Sequence, residues 1–83
     1  MNKILVKVFF PRIDKCYEVW IPTNQNISNI IALLCNGVNE LNGNNFKFND
    51  MIILYNRQTG EYYDYNEIVK ETDIRNGTEL ILI

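Results

Sequence analysis

The chain of 83 residues contains no histidine, one tryptophan, two prolines, two cysteines and a single serine, Ser28. Each scarcity excludes something. Without imidazole, His-based acid–base catalysis and most metal sites are ruled out. Ser28, Cys16 and Cys35 have no histidine to act as their base, so no nucleophile–base pair can be assembled and no enzyme is expected. No apolar run approaches the roughly 20 residues that span a bilayer, so no membrane insertion is expected. The opening "MNKILVKVFF" carries Lys3 and Lys7 among its apolar residues, and no small-residue cleavage site follows. It is expected to be a strand of a cytoplasmic protein and not a signal peptide. The four glycines, Gly37, Gly43, Gly60 and Gly77, each stand beside a turn and form no phosphate-cradling loop.

An excess of positive charge is also missing. Eight Lys and Arg face ten Asp and Glu, giving a net charge of −2 and a pI of about 4.9. Nucleic-acid affinity rests on a basic face that releases counterions. Lys3, Lys7, Arg12 and Lys15 gather near the N-terminus, but Asp14 and Glu18 lie among them, so no nucleic-acid partner is expected. The acidic run Asp64, Glu67, Glu71 and Asp73 fits no calcium-loop spacing and is expected to be a solvated loop. Cys16 and Cys35 are expected to be small packing residues, not a disulfide. No cofactor or metal is implied.

What is present is ordinary for a globular domain, 47% apolar and 22% charged. One domain over residues 1–83 with a single modest core is expected. "KILVKVFF" and "CYEVWIP" are β-branched and aromatic, each bounded by proline, with "PRIDK" as the turn of a hairpin. Alternation puts Ile4, Val6 and Val8 on one face and Leu5, Lys7 and Phe9 on the other. On the second strand Tyr17, Val19 and Ile21 oppose Cys16, Glu18 and Trp20. Helical spacing then links Ile27, Ile30, Ile31, Leu34, Val38 and Leu41. Asn26 suits the N-cap and Asn42-Gly43 the C-terminal stop, although Asn36-Gly37 offers an earlier one. "MIILYN" is a third strand, "RQTG" a turn and "EYYDY" a short strand. "NEIVKETDI" is irregular or a short helical turn, anchored by Ile68 and Ile74. "RNG" turns into a last strand, "TELILI". The strongly apolar first and last strands are expected side by side at the sheet centre. The result is an α+β fold, a β-grasp with a mixed sheet of four to five strands on one main helix.

The pieces "LVKV", "YEVWIP", "ISNIIALL" and "ELILI" resemble ubiquitin-like proteins in order and spacing. The Pro-terminated second strand, "NIIALLCNGV" and "DIRNGTELILI" resemble more closely the small EsaB/YukD group. Its sharpest echo is Ile-x-Asn-Gly-x-x-Leu, here Ile74, Asn76, Gly77 and Leu80. The resemblance covers essentially the whole chain. It implies a cytoplasmic accessory or regulatory protein of the type VII secretion system of Gram-positive bacteria. That system exports small helical proteins with a Trp-x-Gly turn through a membrane ATPase, and the resemblance implies that ATPase or another secretion component as the partner. Conjugation and sulfur transfer both need a flexible tail ending in Gly-Gly. The sequence given reaches Ile83 without one, so a non-conjugating protein is expected. An alternative is the small ubiquitin-like subunit of a multicomponent enzyme complex.

If Ile4, Val6, Val8, Tyr17 and Val19 pack on the helix, Leu5, Phe9 and Trp20 project outward. Ile81 joins them if Leu80 and Leu82 are core. Leu5, Lys7, Phe9, Trp20 and Ile81 are therefore the candidate protein-binding residues, since exposed apolar patches with tryptophan mark protein contacts. The opposing expectation is that neighbouring side chains, or the loop bearing Phe46 and Phe48, cover them. "EYYDY" is a weaker candidate. Self-association through an edge strand is open.

Overall fold

The computed structural model describes residues 2–43 and 52–83. Four strands, β1 (Lys3–Phe10), β2 (Lys15–Pro22), β3 (Leu54–Asn56) and β4 (Glu79–Leu82), form one sheet in the order β2-β1-β4-β3. β1 and β2 are antiparallel through eight paired positions, from Lys3↔Pro22 to Phe10↔Lys15. β1 and β4 run parallel, and β3 and β4 antiparallel. The first and last strands are therefore the two central ones, as their apolar content predicts. The sheet is mixed and carries one main helix, α1 (Ile27–Asn42). The fold is a ubiquitin-like β-grasp.

The hairpin closes through a 3₁₀ turn over Pro11–Ile13. Asp14 then takes a left-handed conformation, φ 54°, and donates its N–H to the Pro11 carbonyl. Asp is among the few side chains that tolerate this region. α1 starts where the sequence places it. The Asn26 side chain accepts from the Asn29 N–H at 3.0 Å, filling one of the bonds that the first turn lacks. Gly43, at φ 71°, caps the other end by donating to the Asn39 carbonyl. The helix runs through Asn36-Gly37 without stopping.

The core is one cluster between sheet and helix. Val6, Val8, Phe10, Ile21, Leu54, Leu80 and Leu82 meet Ile27, Ile30, Ile31, Leu34, Cys35 and Val38. Ile52, Tyr63, Val69 and Ile74 close its ends. Ile4, Tyr17 and Val19 pack against it while staying partly open. Several expectations need correction. Leu41 keeps the helical spacing but is exposed, because the buried stripe ends at Val38. The "EYYDY" strand reduces to an isolated Tyr55↔Tyr62 bridge. In the following segment Val69, at the start of a 3₁₀ turn, is the buried anchor, and Ile68 is only half-buried. Ile74 is buried as expected. Met51, Phe46 and Phe48 lie outside the described residues.

The Ile-x-Asn-Gly-x-x-Leu pattern has a structural explanation. Ile74 and Leu80 are buried on either side of the turn. Gly77 sits at φ 90°, where an L side chain is strained. The Asn76 Oδ1 accepts from the Leu5 N–H at 2.7 Å. The Gly77 N–H donates to the Leu5 carbonyl, also at 2.7 Å. One dipeptide thereby satisfies both backbone groups of a β1 residue just before the parallel ladder to β4 begins.

Candidate protein-binding face

The sheet face away from α1 is built by alternation and set by register. β1 contributes Leu5, Lys7 and Phe9, β2 contributes Cys16, Glu18 and Trp20, and β4 contributes Glu79 and Ile81. Pairing across strands then orders them in rows. Phe9 lies between Cys16 and Ile81, and Ile81 lies beside Tyr55 of β3. Trp20 pairs with Leu5. Between these two apolar groups runs a charged row. Lys7 pairs with Glu18 on one side and Glu79 on the other. The next residue along is Arg57, whose N–H donates to the Glu79 carbonyl at 2.9 Å. Charges of alternating sign thus cross four neighbouring chain segments, an arrangement favourable between directly opposed strand positions.

The five sequence-predicted residues lie on this one face. Trp20 is 61% exposed and Lys7 is exposed, while Leu5, Phe9 and Ile81 are half-buried. Phe9 is not bare, because the Arg57 guanidinium carbon stands 5.8 Å from its ring centroid. Tyr55, Arg57 and Glu79 complete the face and escaped the sequence reading. Alternation from "MIILYN" into Arg57, and along "TELILI", marks their parity, but only the register reveals which of them meet Lys7 and Phe9. Cys16, expected to pack inside, is exposed here. Cys35 does pack inside, and burial pushes its thiol up to about 11.

The tyrosine-rich segment divides into structural and exposed parts. Tyr63 is buried; its hydroxyl accepts from Asn56 Nδ2 at 3.0 Å and donates to Asp73 Oδ1 at 2.6 Å. Burial, reinforced by that bond to Asp73, raises its phenol to about 12. Tyr65 donates to the Ile52 carbonyl at 2.7 Å, and Tyr62 is 62% exposed. The neighbouring acids serve the loop itself, since Glu67 Oε1 accepts from the Asp64 N–H. Among the described residues no cluster of acids or cysteines could hold a metal ion. Among them, too, no helix is long and apolar enough to cross a membrane.

Neither a model of a known protein family nor any curated protein sequence matches the chain. Solved structures do. The EccD5 ubiquitin-like domain from Mycobacterium xenopi superposes with a TM-score of 0.77 at 19% identity, over 100% of this chain and 94% of that one. A chain of an ESX-5 inner membrane complex gives 0.81 at 18% identity, over all of this chain but only 21% of its own length. A chain of a toluene 4-monooxygenase HD complex gives 0.80 at 9% identity, over 96% of this chain and 95% of that one. Likeness at such identity speaks for the fold, and it agrees with the strand order and the single covering helix: the chain has the ubiquitin-like fold.

Proposed function

We propose that this chain is a non-conjugating ubiquitin-like protein acting by protein contact in a type VII secretion system, as a cytoplasmic accessory or regulator in a Gram-positive bacterium. The observation that carries the reading is the full-length likeness to the EccD5 ubiquitin-like domain and to part of an ESX-5 inner membrane complex chain. It joins the resemblance of "DIRNGTELILI" to the EsaB/YukD group. The fold alone is compatible with many functions, so the site has to carry the mechanism.

In this reading Leu5, Lys7, Phe9, Trp20 and Ile81 form the contact face, and the partner is a secretion component such as the membrane ATPase. The exposed Trp20 beside Leu5 supplies an apolar anchor that gains by leaving water. The Glu18–Lys7–Glu79 row fixes register, since a partner with the wrong charge order meets like charges. Catalysis has no part in it.

The test is deletion of the gene in its own cell, with the Trp-x-Gly substrates measured in medium and cytosol. Substrate retained inside is the expected result, restored by the wild-type gene and not by a Lys7→Ala, Ile81→Thr double variant that still folds. Unchanged export and unchanged substrate levels would overturn the reading.

The likeness to a chain of the toluene 4-monooxygenase HD complex favours a second reading, a small subunit of a multicomponent enzyme complex. Gene neighbours separate the two. An FtsK-like ATPase beside the gene supports secretion, and a diiron hydroxylase supports the enzyme complex.

A further inference from the structure

α1 carries a single charged residue, Glu40. A helix face that stays in water is ordinarily charged or polar throughout. Here the exposed side holds Leu33, 52% open, and Leu41, 68% open, with exposed Gly37 between them. The three fall four residues apart, so they make one stripe, two leucine ridges around a notch. A Cβ built on Gly37 meets nothing within 4 Å, and Gly37 is not among the glycines with positive φ. Neither backbone conformation nor packing within the chain requires glycine there, although glycine weakens a helix interior. What it provides is the notch. Leu33 also stands between two hollows. One, of about 470 Å³, opens beside Gly37 and Leu41. The other, of about 410 Å³, lies beside Asn29 and Asn36.

This stripe is complementary to itself. We propose that α1 is a self-association face, on which a second copy of the chain docks its own α1 antiparallel. The two-fold axis passes between Leu33 and Gly37, so each Leu33 enters the Gly37 notch of the other copy, the reciprocal pairing that such an axis requires. The same axis brings each Leu41 opposite the other copy's Asn29, over the second hollow. Glycine at the contact lets the two helices approach closely, because interaxial distance follows the side chains between them.

Charge selects both the occupant and its direction. The stripe itself presents no charge, so a charged foreign segment finds no ion partner on it, whereas a second stripe matches it in shape and polarity. Glu40 lies in the last turn of α1, at the negative end of the helix dipole, and that turn holds no basic residue. Antiparallel docking sets Glu40 opposite Ile30 of the other copy, in the first turn, where the dipole is positive. Parallel docking would bring the two Glu40 carboxylates into the same turn. The extent of the stripe sets the strength. Residues 33–41 rise only about 12 Å along the helix axis. So short a contact falls at the small end of interfaces, below about 1,200 Å², which makes the pair reversible and not obligate.

The inference rests on α1 and stands apart from the outer sheet face and from the secretion reading. The test follows the intact chain, nitrogen-15 labelled, by sedimentation equilibrium and NMR from about 20 µM to about 1 mM, the range in which so small an interface associates. The apparent mass should rise from 9.8 kDa toward twice that value, with the Leu33, Gly37 and Leu41 amides shifting together. Leu33→Glu should weaken association about tenfold or more, roughly the loss of one buried anchor. Both leucines are more than half exposed, so the melting temperature should hold. Leu41→Glu, with a smaller loss, is the second variant should Leu33→Glu misfold. Gly37→Lys alone should also weaken association. Mixing it with Leu33→Glu should restore association, because the register sets the two new charges against each other. Leu41→Lys mixed with Leu33→Glu should not. A constant mass up to about 1 mM, undiminished association of Leu33→Glu, or rescue by Leu41→Lys in place of Gly37→Lys would overturn the proposal. So would concentration-dependent protection of the Cys16, Glu18 and Trp20 amides, or shifts confined to Lys7, Phe9 and Ile81, since the copies would then meet through β2 or the outer face.

Discussion

Asn36-Gly37 lies inside α1, with Gly37 helical and its neighbours Cys35 and Val38 buried. Asn76-Gly77 breaks the chain, with Gly77 at φ 90° and the Asn76 side chain bonded to Leu5, 71 positions earlier. The dipeptide is identical, and as a local signal it favours a turn in both places. At 36–37 the apolar spacing from Ile27 to Val38 decides the outcome. Burying Leu34, Cys35 and Val38 in one stripe outweighs the penalty of about 1 kcal/mol for a helical glycine. At 76–77 nothing helical surrounds the pair. Ile74 and Leu80 are held in the core on opposite sides of it, and the chain must reverse between them. A weak local preference takes the form that the nearest buried residues require.

Substitutions at the two sites should therefore differ in sign as well as size. Gly77→Val should have the largest effect, destabilising by about 1–3 kcal/mol from backbone strain alone, as read by urea unfolding. Asn76→Ala comes next. It leaves the Leu5 N–H without its side-chain partner, for an expected loss of about 1–2 kcal/mol. A mid-transition shift for Asn76→Ala with no change in slope would place the loss in the folded state. Gly37→Ala should be the smallest and of opposite sign, a gain of about 0.5–1 kcal/mol, because the added methyl meets open space. If Gly37→Ala destabilises instead, the helix there is not what the comparison assumes. If Gly77→Val is neutral, the turn has another solution and the Asn76 bond is incidental.

Much of the fold was legible because period and punctuation agree. "KILVKVFF" alternates, "NIIALLCNGV" repeats at helical spacing, Asn26 caps and Gly43 stops. The order of elements then leaves few arrangements that bury both apolar ends of the chain. The parity of the outer face followed from the same alternation, which put Leu5, Lys7, Phe9, Trp20 and Ile81 together. Register was not legible. That Lys7 stands between Glu18 and Glu79, or Phe9 between Cys16 and Ile81, depends on turn lengths and on a parallel pairing that no short stretch encodes. Leu41 was assigned to the core because it keeps the spacing of Leu34 and Val38, and spacing alone could not show that the buried stripe ends at Val38. Ile68 was chosen over Val69 because both are apolar and only the 3₁₀ turn decides which points inward.

The pairing of β1 with β4 has a consequence for how the protein is made. The two central strands come from opposite ends of the sequence, so the sheet has no middle until Leu80 and Leu82 have been synthesised. At about 5–20 residues per second, the hairpin and helix spend seconds outside the ribosome with their apolar faces uncovered. Such non-local pairing is slow to form even in the free chain. The pairing that joins β1 to β4 is therefore the last part of this sheet that the growing chain can form.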